Sequence, residues 1–271
     1  MSTVSRGNSP HTHGENEQTR SRDDAEDYAE GLEADYGFEA DCVRARFNYL
    51  IRHLKQGSCK KILEVGCGLE LFMDVAIRSG VDFDRWVTIE PASMLAERAR
   101  ARASTEPRLS VIEGYCQDPA IDKSVRELGP FDVVLLSGVL QDVPDPAELL
   151  RVSLDYAAPG ARILVTTPNA LSFHRLLAVE MGLMPTPHSL SPRNRRFRQD
   201  VVFDQDSLGQ LLEQGGLQDL RFEGYMFKPF THIQMARVLE VLPAGITEGL
   251  DRLGRQFPRH AAEIGYIGTK K

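Results

Sequence analysis

Three groups of residues in this 271-residue chain combine types and spacings that can do chemistry. The first is Ile62-Leu-Glu-Val-Gly-Cys-Gly68, an apolar run ending in a glycine pair, with Glu90 closing a second apolar run 22 residues past Gly68. Glycines let the backbone turn sharply and let a ligand approach where a Cβ would block it. Position 71, where a dinucleotide fingerprint has its third glycine, is Leu71. Glu64, just before the glycines, would repel a pyrophosphate but suits a cationic ligand, and Glu90 can accept both hydroxyls of a ribose. The second group is His174, His188 and His232, each able to take a proton near neutral pH. His174 ranks first, because it falls six residues past Pro168, near the end of an expected strand, where open sheets bind ligands. The third is the run Arg193, Arg195, Arg196 and Arg198, whose guanidinium forks can clamp a carboxylate or phosphate, or else pair with acids of the leading segment.

The pattern around these residues is a series of short apolar runs separated by amphipathic stretches. Strands are expected at 61–65, 86–89, 109–113, 131–136, 162–166, 217–225 and 264–269. Helices are expected at 69–79, 92–103, 122–128 and 146–156, with one more capped by Asp206 and ended by Gly215 and Gly216. Strands buried on both faces and joined by helices predict an α/β, doubly wound, seven-stranded sheet, mostly parallel with the last strand antiparallel. Residues 1–24 are polar and charged and are expected to be a disordered tail; 25–57 read as a helical lid segment carrying Tyr28 and Tyr36 as acceptor contacts. The domain proper is 58–271, with insertions at 168–203 and 227–262 that extend the lid.

A ligand with a ribose and a positive charge but no phosphate fits S-adenosylmethionine, and on these motifs the chain resembles the class I methyltransferases that use it, especially the group related to ubiquinone-type O-methyltransferases. The resemblance covers about 60–224. It implies a Rossmann-like fold and a cofactor site formed by Glu64, Gly66, Cys67, Gly68, Glu90 and Pro91. It also implies that Gln117 or Asp118 meets the adenine amino group and that Ser137 and Gly138 lie under the methionine part. Met94 follows Glu90 on a helix and can pack on adenine or belong to the core. Asn169, after Thr167-Pro168, can orient the acceptor or form the turn, and Arg195 is the arginine taken for acceptor binding. Many relatives carry histidines where this chain has Gly138 and Asp142, so the base is sought among His174, His188 and His232. Glu70 stands where the first motif commonly has another glycine.

Charge narrows the partners. Residues 1–41 hold three basic and eleven acidic side chains, a net −8, which leaves the remaining 230 residues at +1 out of an overall −7. A broadly basic nucleic-acid-binding surface is disfavoured. No apolar run has the length of a membrane span or a secretory signal, so a cytoplasmic location is expected. Cys42, Cys59, Cys67 and Cys116 contain no C-x-x-C pair, which argues for reduced thiols and against a metal site. His11 and His13 have no third ligand nearby. The leading reading is an enzyme that methylates an oxygen or nitrogen of a small metabolite in natural-product or other specialised biosynthesis, with a homodimer as the candidate assembly. Methylation of a peptide or protein carboxylate, and a noncatalytic cofactor-binding partner protein, are the alternatives.

Overall fold

The computed structural model describes residues 21–271 apart from Asp35 and Tyr36. Most of the expected tail, including His11 and His13, and the lid residue Tyr36 lie outside the described residues. Two helices lead in, α1 (Arg22–Ala34) and α2 (Glu39–Leu54). The sheet follows: β1 (Lys61–Val65), α3 (Phe72–Arg78), β2 (Arg85–Glu90), α4 (Ser93–Ala103), β3 (Leu109–Glu113), α5 (Pro119–Leu128), β4 (Phe131–Ser137), α6 (Pro146–Asp155) and β5 (Ala157–Pro168). Next come α7 (Phe173–Glu180), α8 (Pro192–Arg196), α9 (Gln205–Gln214), β6 (Leu217–Tyr225), α10 (His232–Leu239), α11 (Ile246–Gln256) and β7 (Glu263–Lys270). The seven strands lie in the order β3-β2-β1-β4-β5-β7-β6, and β7 pairs antiparallel with both β5 and β6. This is the mostly parallel sheet with an antiparallel last strand that the apolar runs predict.

The inner strands are apolar at nearly every position because helices cover both faces. Ile62, Trp86, Val133 and Leu164 face a cluster completed by Phe47, Leu50 and Phe72. Leu63, Val87, Val134 and Ile163 face the other, against Val125, Leu149, Leu150, Leu208 and Leu212. Helix α2 lies close on β7 because position 265 is glycine: a Cβ there would stand 2.6 Å from the Tyr49 ring, which in turn stacks on Tyr225 at 5.1 Å. That contact fixes the height and rotation of α2, and so presents Glu39, Val43 and Arg46, spaced by four and three residues, along one face.

Several boundaries differ from expectation, among them the start of α5 at Pro119 rather than 122. Strand β5 begins at Ala157 rather than 162, since Ala157 already pairs with Phe131 across an irregular register. Helix α3 begins at Phe72 rather than 69, which leaves the glycine loop open as far as Leu71. The cap of α9 is Asp204, not Asp206: its carboxylate accepts from Ser207 N at 2.8 Å and the Ser207 hydroxyl reciprocates, leaving Asp206 in the first turn.

Helix α1 is a strap across the carboxyl edge of the sheet. Its small residues Ala25 and Ala29 pack on Cys67, Leu69, Ala92 and Leu95. Glu26 accepts from the Ser93 and Met94 amides at the start of α4. The segment 168–203 clamps the strap from the other side: Arg198 pairs with Asp24 and Asp27, Arg196 donates to the Gly31 carbonyl, and Phe197 meets Tyr28 edge-on at 5.4 Å. Arg196 and Arg198 thus follow the second sequence reading of the run and pair with the leading segment. Among the described residues no helix is long and apolar enough to cross a membrane.

Candidate functional site

Strand order reverses between β1 and β4, and the loops after β1, β2, β3, β4 and β5 all open into one cavity of about 650 Å³ roofed by α1, α2 and the two insertions. Carboxyl ends of strands at such a switch point are where open α/β sheets bind ligands.

One half of the cavity is the glycine loop and its acids. Gly66 and Gly68 have φ of +80° and +62°, conformations that favour glycine, and Gly66 N donates to Ile89 O at 2.8 Å, tying the turn to β2. Glu90 is 5% exposed and already held: one carboxylate oxygen accepts from Ala92 N at 3.0 Å and the other from Cys67 N at 2.9 Å. Burial raises its pKa while these amides pull it down, so the acid is fixed in place with lone pairs left for a diol. Glu64 accepts at Oε2 from Trp86 Nε1 at 2.8 Å and Thr88 Oγ1 at 3.2 Å. Burial pushes its carboxyl up to about 7 against those two hydrogen bonds, and it meets no cation among the described residues. A cationic ligand in the cavity would supply the missing countercharge and favour the ionised form.

The remaining residues expected to hold the cofactor sort themselves by position. Pro91, Gln117, Ser137 and Gly138 line the cavity. Asp118 does not: it is exposed and caps α5, accepting from Ala120 N at 2.8 Å. Met94 also turns away and packs beneath α1, so the residue of α4 that reaches the cavity is Leu95. Gly138, with φ +68°, is crossed by Arg46, whose Nη1 would lie 3.1 Å from a Cβ at that position. Arg46 was not foreseen; it donates to Glu263 at 2.9 Å and lies 3.6 Å from Glu39.

The other half is polar and built from distant segments. His232, at the start of α10, pairs through Nε2 with Glu39 at 2.9 Å and through Nδ1 with Lys228 Nζ at 3.0 Å. A carboxylate only accepts and an ammonium only donates, so the ring is a neutral imidazole carrying its proton on Nε2. Burial and then Lys228 push its pKa down to about 4. Burial raises Glu39, but His232, Arg46 and Arg193 outweigh it and hold this carboxyl at about 2. His174 also lines the cavity. Its Nδ1 is buried without a hydrogen-bond partner, and burial together with Lys228 holds the ring well below 6.5.

Glu39, Cys42 and His232 are the one group among the described residues with metal-ligand atoms close enough together to share an ion. Lys228 on Nδ1 and Arg46 and Arg193 beside Glu39 put positive charge around that point, which opposes a cation there.

Three further expectations meet a different structure, while Tyr28 reaches the cavity. His188 lies on the surface, half exposed and paired with Asp204 at 2.9 Å, outside the cavity. Arg195 is exposed and points away, and the arginine of its run that reaches the wall is Arg193, paired with Glu39 at 3.2 Å. Asn169 lines the cavity, but its amide nitrogen donates to Arg259 O and Ala261 O and its oxygen accepts from Leu171 N, so it joins strand ends rather than facing a ligand. Tyr28 does line the cavity, where its hydroxyl donates to Asp142 at 3.2 Å; Asp142 also takes amides from Gln141 and Gln199.

A sheet of this order, with a glycine turn after β1 and an anchored acid after β2, defines the class I S-adenosylmethionine-dependent methyltransferases, and this chain is one of them. Residues 39–221 match the model of a methyltransferase-domain family, and the chain belongs to that family. A ubiquinone biosynthesis O-methyltransferase of Aliivibrio fischeri strain MJ11 is 26% identical over 190 residues, covering 69% of this chain and 76% of that protein. The enzyme of the same description from Acinetobacter baylyi is 28% identical over 124 residues, 46% of this chain and 50% of the relative, so this chain spans half of that relative's length. Among solved structures, a SAM-dependent methyltransferase from Thermotoga maritima superposes over 92% of this chain and 100% of its own, with TM-score 0.55 and 18% identity. Phosphoethanolamine N-methyltransferase 2 of Haemonchus contortus, in complex with phosphomonomethylethanolamine and S-adenosylhomocysteine, covers 93% of this chain and 61% of its own, with TM-score 0.57 and 13% identity. At these identities the likeness is one of fold.

Proposed function

We propose that the chain methylates an oxygen or nitrogen of a small metabolite, in natural-product or other specialised biosynthesis, with the acceptor held in the half of the cavity bounded by α2, α7 and α10. The observation that carries this reading is continuity: the space over Gly66 and Glu90 runs without a partition to His174, His232 and Lys228.

When bound, S-adenosylmethionine supplies a methyl group activated by its sulfonium charge. The chain's own residues divide the remaining work. Glu90 would hold the ribose hydroxyls, Glu64 would face the cationic end, and Arg46 over Gly138 would take the carboxylate of the amino-acid part. The strap α1 keeps water from the reacting atoms, with Tyr28 on Asp142 and Phe197 as its fastening. His174 is the candidate base, since its ring is neutral at pH 7 and its Nδ1 has no protein partner. His232, locked in one tautomer between Glu39 and Lys228, positions the lysine.

The test is release of S-adenosylhomocysteine in the presence of a panel of catechols and of primary and secondary amines, with products identified by their mass gain. His174→Gln should lower kcat on a hydroxyl acceptor by about 100-fold while leaving cofactor affinity alone. No turnover with any panel member, together with no binding of S-adenosylhomocysteine, would sink the proposal.

A further inference from the structure

Lys228 is 5% exposed, lines the cavity, and has one hydrogen-bond partner among the described residues, the uncharged Nδ1 of His232. The other cations of this wall are satisfied. Arg46 has Glu263 at 2.9 Å and Arg193 has Glu39 at 3.2 Å. Arg175, buried in the first insertion, directs its fork at the Pro187 and Ser189 carbonyls and the Asn194 side chain. Among the described residues no carboxylate lies within ion-pair distance of Lys228 Nζ, Glu39 and Glu263 acting on it only from farther away, so two of its three N–H donors have no acceptor there. A buried ammonium in that condition is expensive unless a ligand completes it.

A second feature points the same way. Helix α10 opens at the cavity, with Thr231, His232 and Ile233 all on the wall; a capping box takes the Thr231 and Gln234 amides, and the helix dipole still places partial positive charge at this end. Glu39 fixes His232, and His232 fixes the lysine, so the ammonium is aimed rather than free to swing.

We infer that the methyl acceptor carries an anionic group, a carboxylate or a phosphate, which seats against Lys228 and the amino end of α10 and anchors the acceptor without itself being methylated. This rests on reading the inner half of the cavity as the acceptor site. The anchor sets orientation: with its anion on Lys228, the rest of the acceptor extends toward His174 and the cofactor half.

Calorimetry tests it with three probes of similar shape, benzoate, phenyl phosphate and the neutral benzamide, each titrated into the full-length protein with and without saturating S-adenosylhomocysteine. At least one anion should bind about tenfold or more tightly than benzamide, and which anion wins separates the carboxylate from the phosphate. Lys228→Met should erase that preference and leave S-adenosylhomocysteine affinity unchanged, while Lys228→Arg should retain most of it. Equal or absent binding of anions and benzamide in the wild type, or a preference that survives in Lys228→Met, overturns the inference. Failure of S-adenosylhomocysteine to bind the wild type would instead count against the methyltransferase reading of the cavity.

Discussion

Replacing His232 by glutamine asks whether the fold holds that ring neutral, as its partners require. The ring is 18% exposed at the side chain, donates from Nε2 to Glu39 and accepts at Nδ1 from Lys228, and its pKa lies at about 4 against an ordinary 6.5. A histidine held down in the folded state takes up its proton more readily when unfolded. Folding is therefore unpenalised above pH 6.5 and loses stability as pH falls toward 4. Between about pH 7 and pH 5 those two pKa values amount to about 2 kcal/mol. Glu39 does not blur this window: at about 2 against 4.5, its contribution is complete above 4.5 and is lost only as pH falls toward 2. A glutamine amide can accept from Lys228 and donate to Glu39 but has no proton to gain. Urea unfolding at the two pH values should show the wild type losing about 2 kcal/mol more than His232→Gln. His174, held low chiefly by burial and Lys228, contributes most of its slope to both proteins, and that part cancels in the difference. Parallel acid losses in the two proteins would refute the reasoning and mean that His232 is charged, or free to charge, in the folded chain.

Three other changes probe the cofactor half and its cover. Glu90→Ala should weaken S-adenosylhomocysteine binding about 100-fold, near 3 kcal/mol for two lost hydrogen bonds to a charged acceptor; a titration within about threefold of wild type would contradict the assigned role. Gly138→Ala places a Cβ 3.1 Å from Arg46 at φ +68° and should weaken the same ligand, whereas Gly160→Ala, at φ +75° with open space around it, carries similar backbone strain of about 1–2 kcal/mol and should leave binding intact. Phe197→Ala removes the ring that packs on Tyr28 and Gly31 and should speed proteolytic cleavage within α1 about tenfold while the sheet melts nearly as before; unchanged cleavage would show that the strap is held by other contacts.

What was legible in the sequence follows chain contiguity. The seven strands were readable because burial on both faces forces near-continuous apolar runs, and each of those runs is local. The glycine loop and its acids were readable for a related reason: Glu64 and Glu90 lie on two adjacent parallel strands, and Gly66 and Gly68 form the turn that directly follows the first of them. Misreadings arose where a local signal had two uses. Asp118 and Asn169 have the right type and place for a ligand, yet a helix start and a strand end needed the same polar atoms. Met94 and Leu95 differ by one step around a helix, and no periodic rule says which of two apolar neighbours faces a ligand and which a strap.

The acceptor half was illegible for the opposite reason, and this bears on how its specificity can change. Glu39, Lys228 and His232 come together only because Tyr49 lies over Gly265 and sets α2 on β7, while the loop after β6 returns to the same edge. The helical spacing of Glu39, Val43 and Arg46 was available as a signal, but those residues also fit a plain amphipathic helix ahead of the domain. Lys228 gave none, since one lysine beside a proline is ordinary in a loop. Its meaning comes from what surrounds it in space: low exposure, a neutral hydrogen-bond partner and, among the described residues, no carboxylate at ion-pair distance. Under the proposed division of the cavity, the ends of the parallel strands would recognise the cofactor, and two insertions and a leading helix would chiefly recognise the acceptor. Substitutions in 168–203 or 227–262 should therefore alter which acceptor binds while S-adenosylhomocysteine affinity stays constant. Arg46 is the exception, because it touches Gly138, Glu263 and Glu39 together; a change there should shift affinity for both ligands at once.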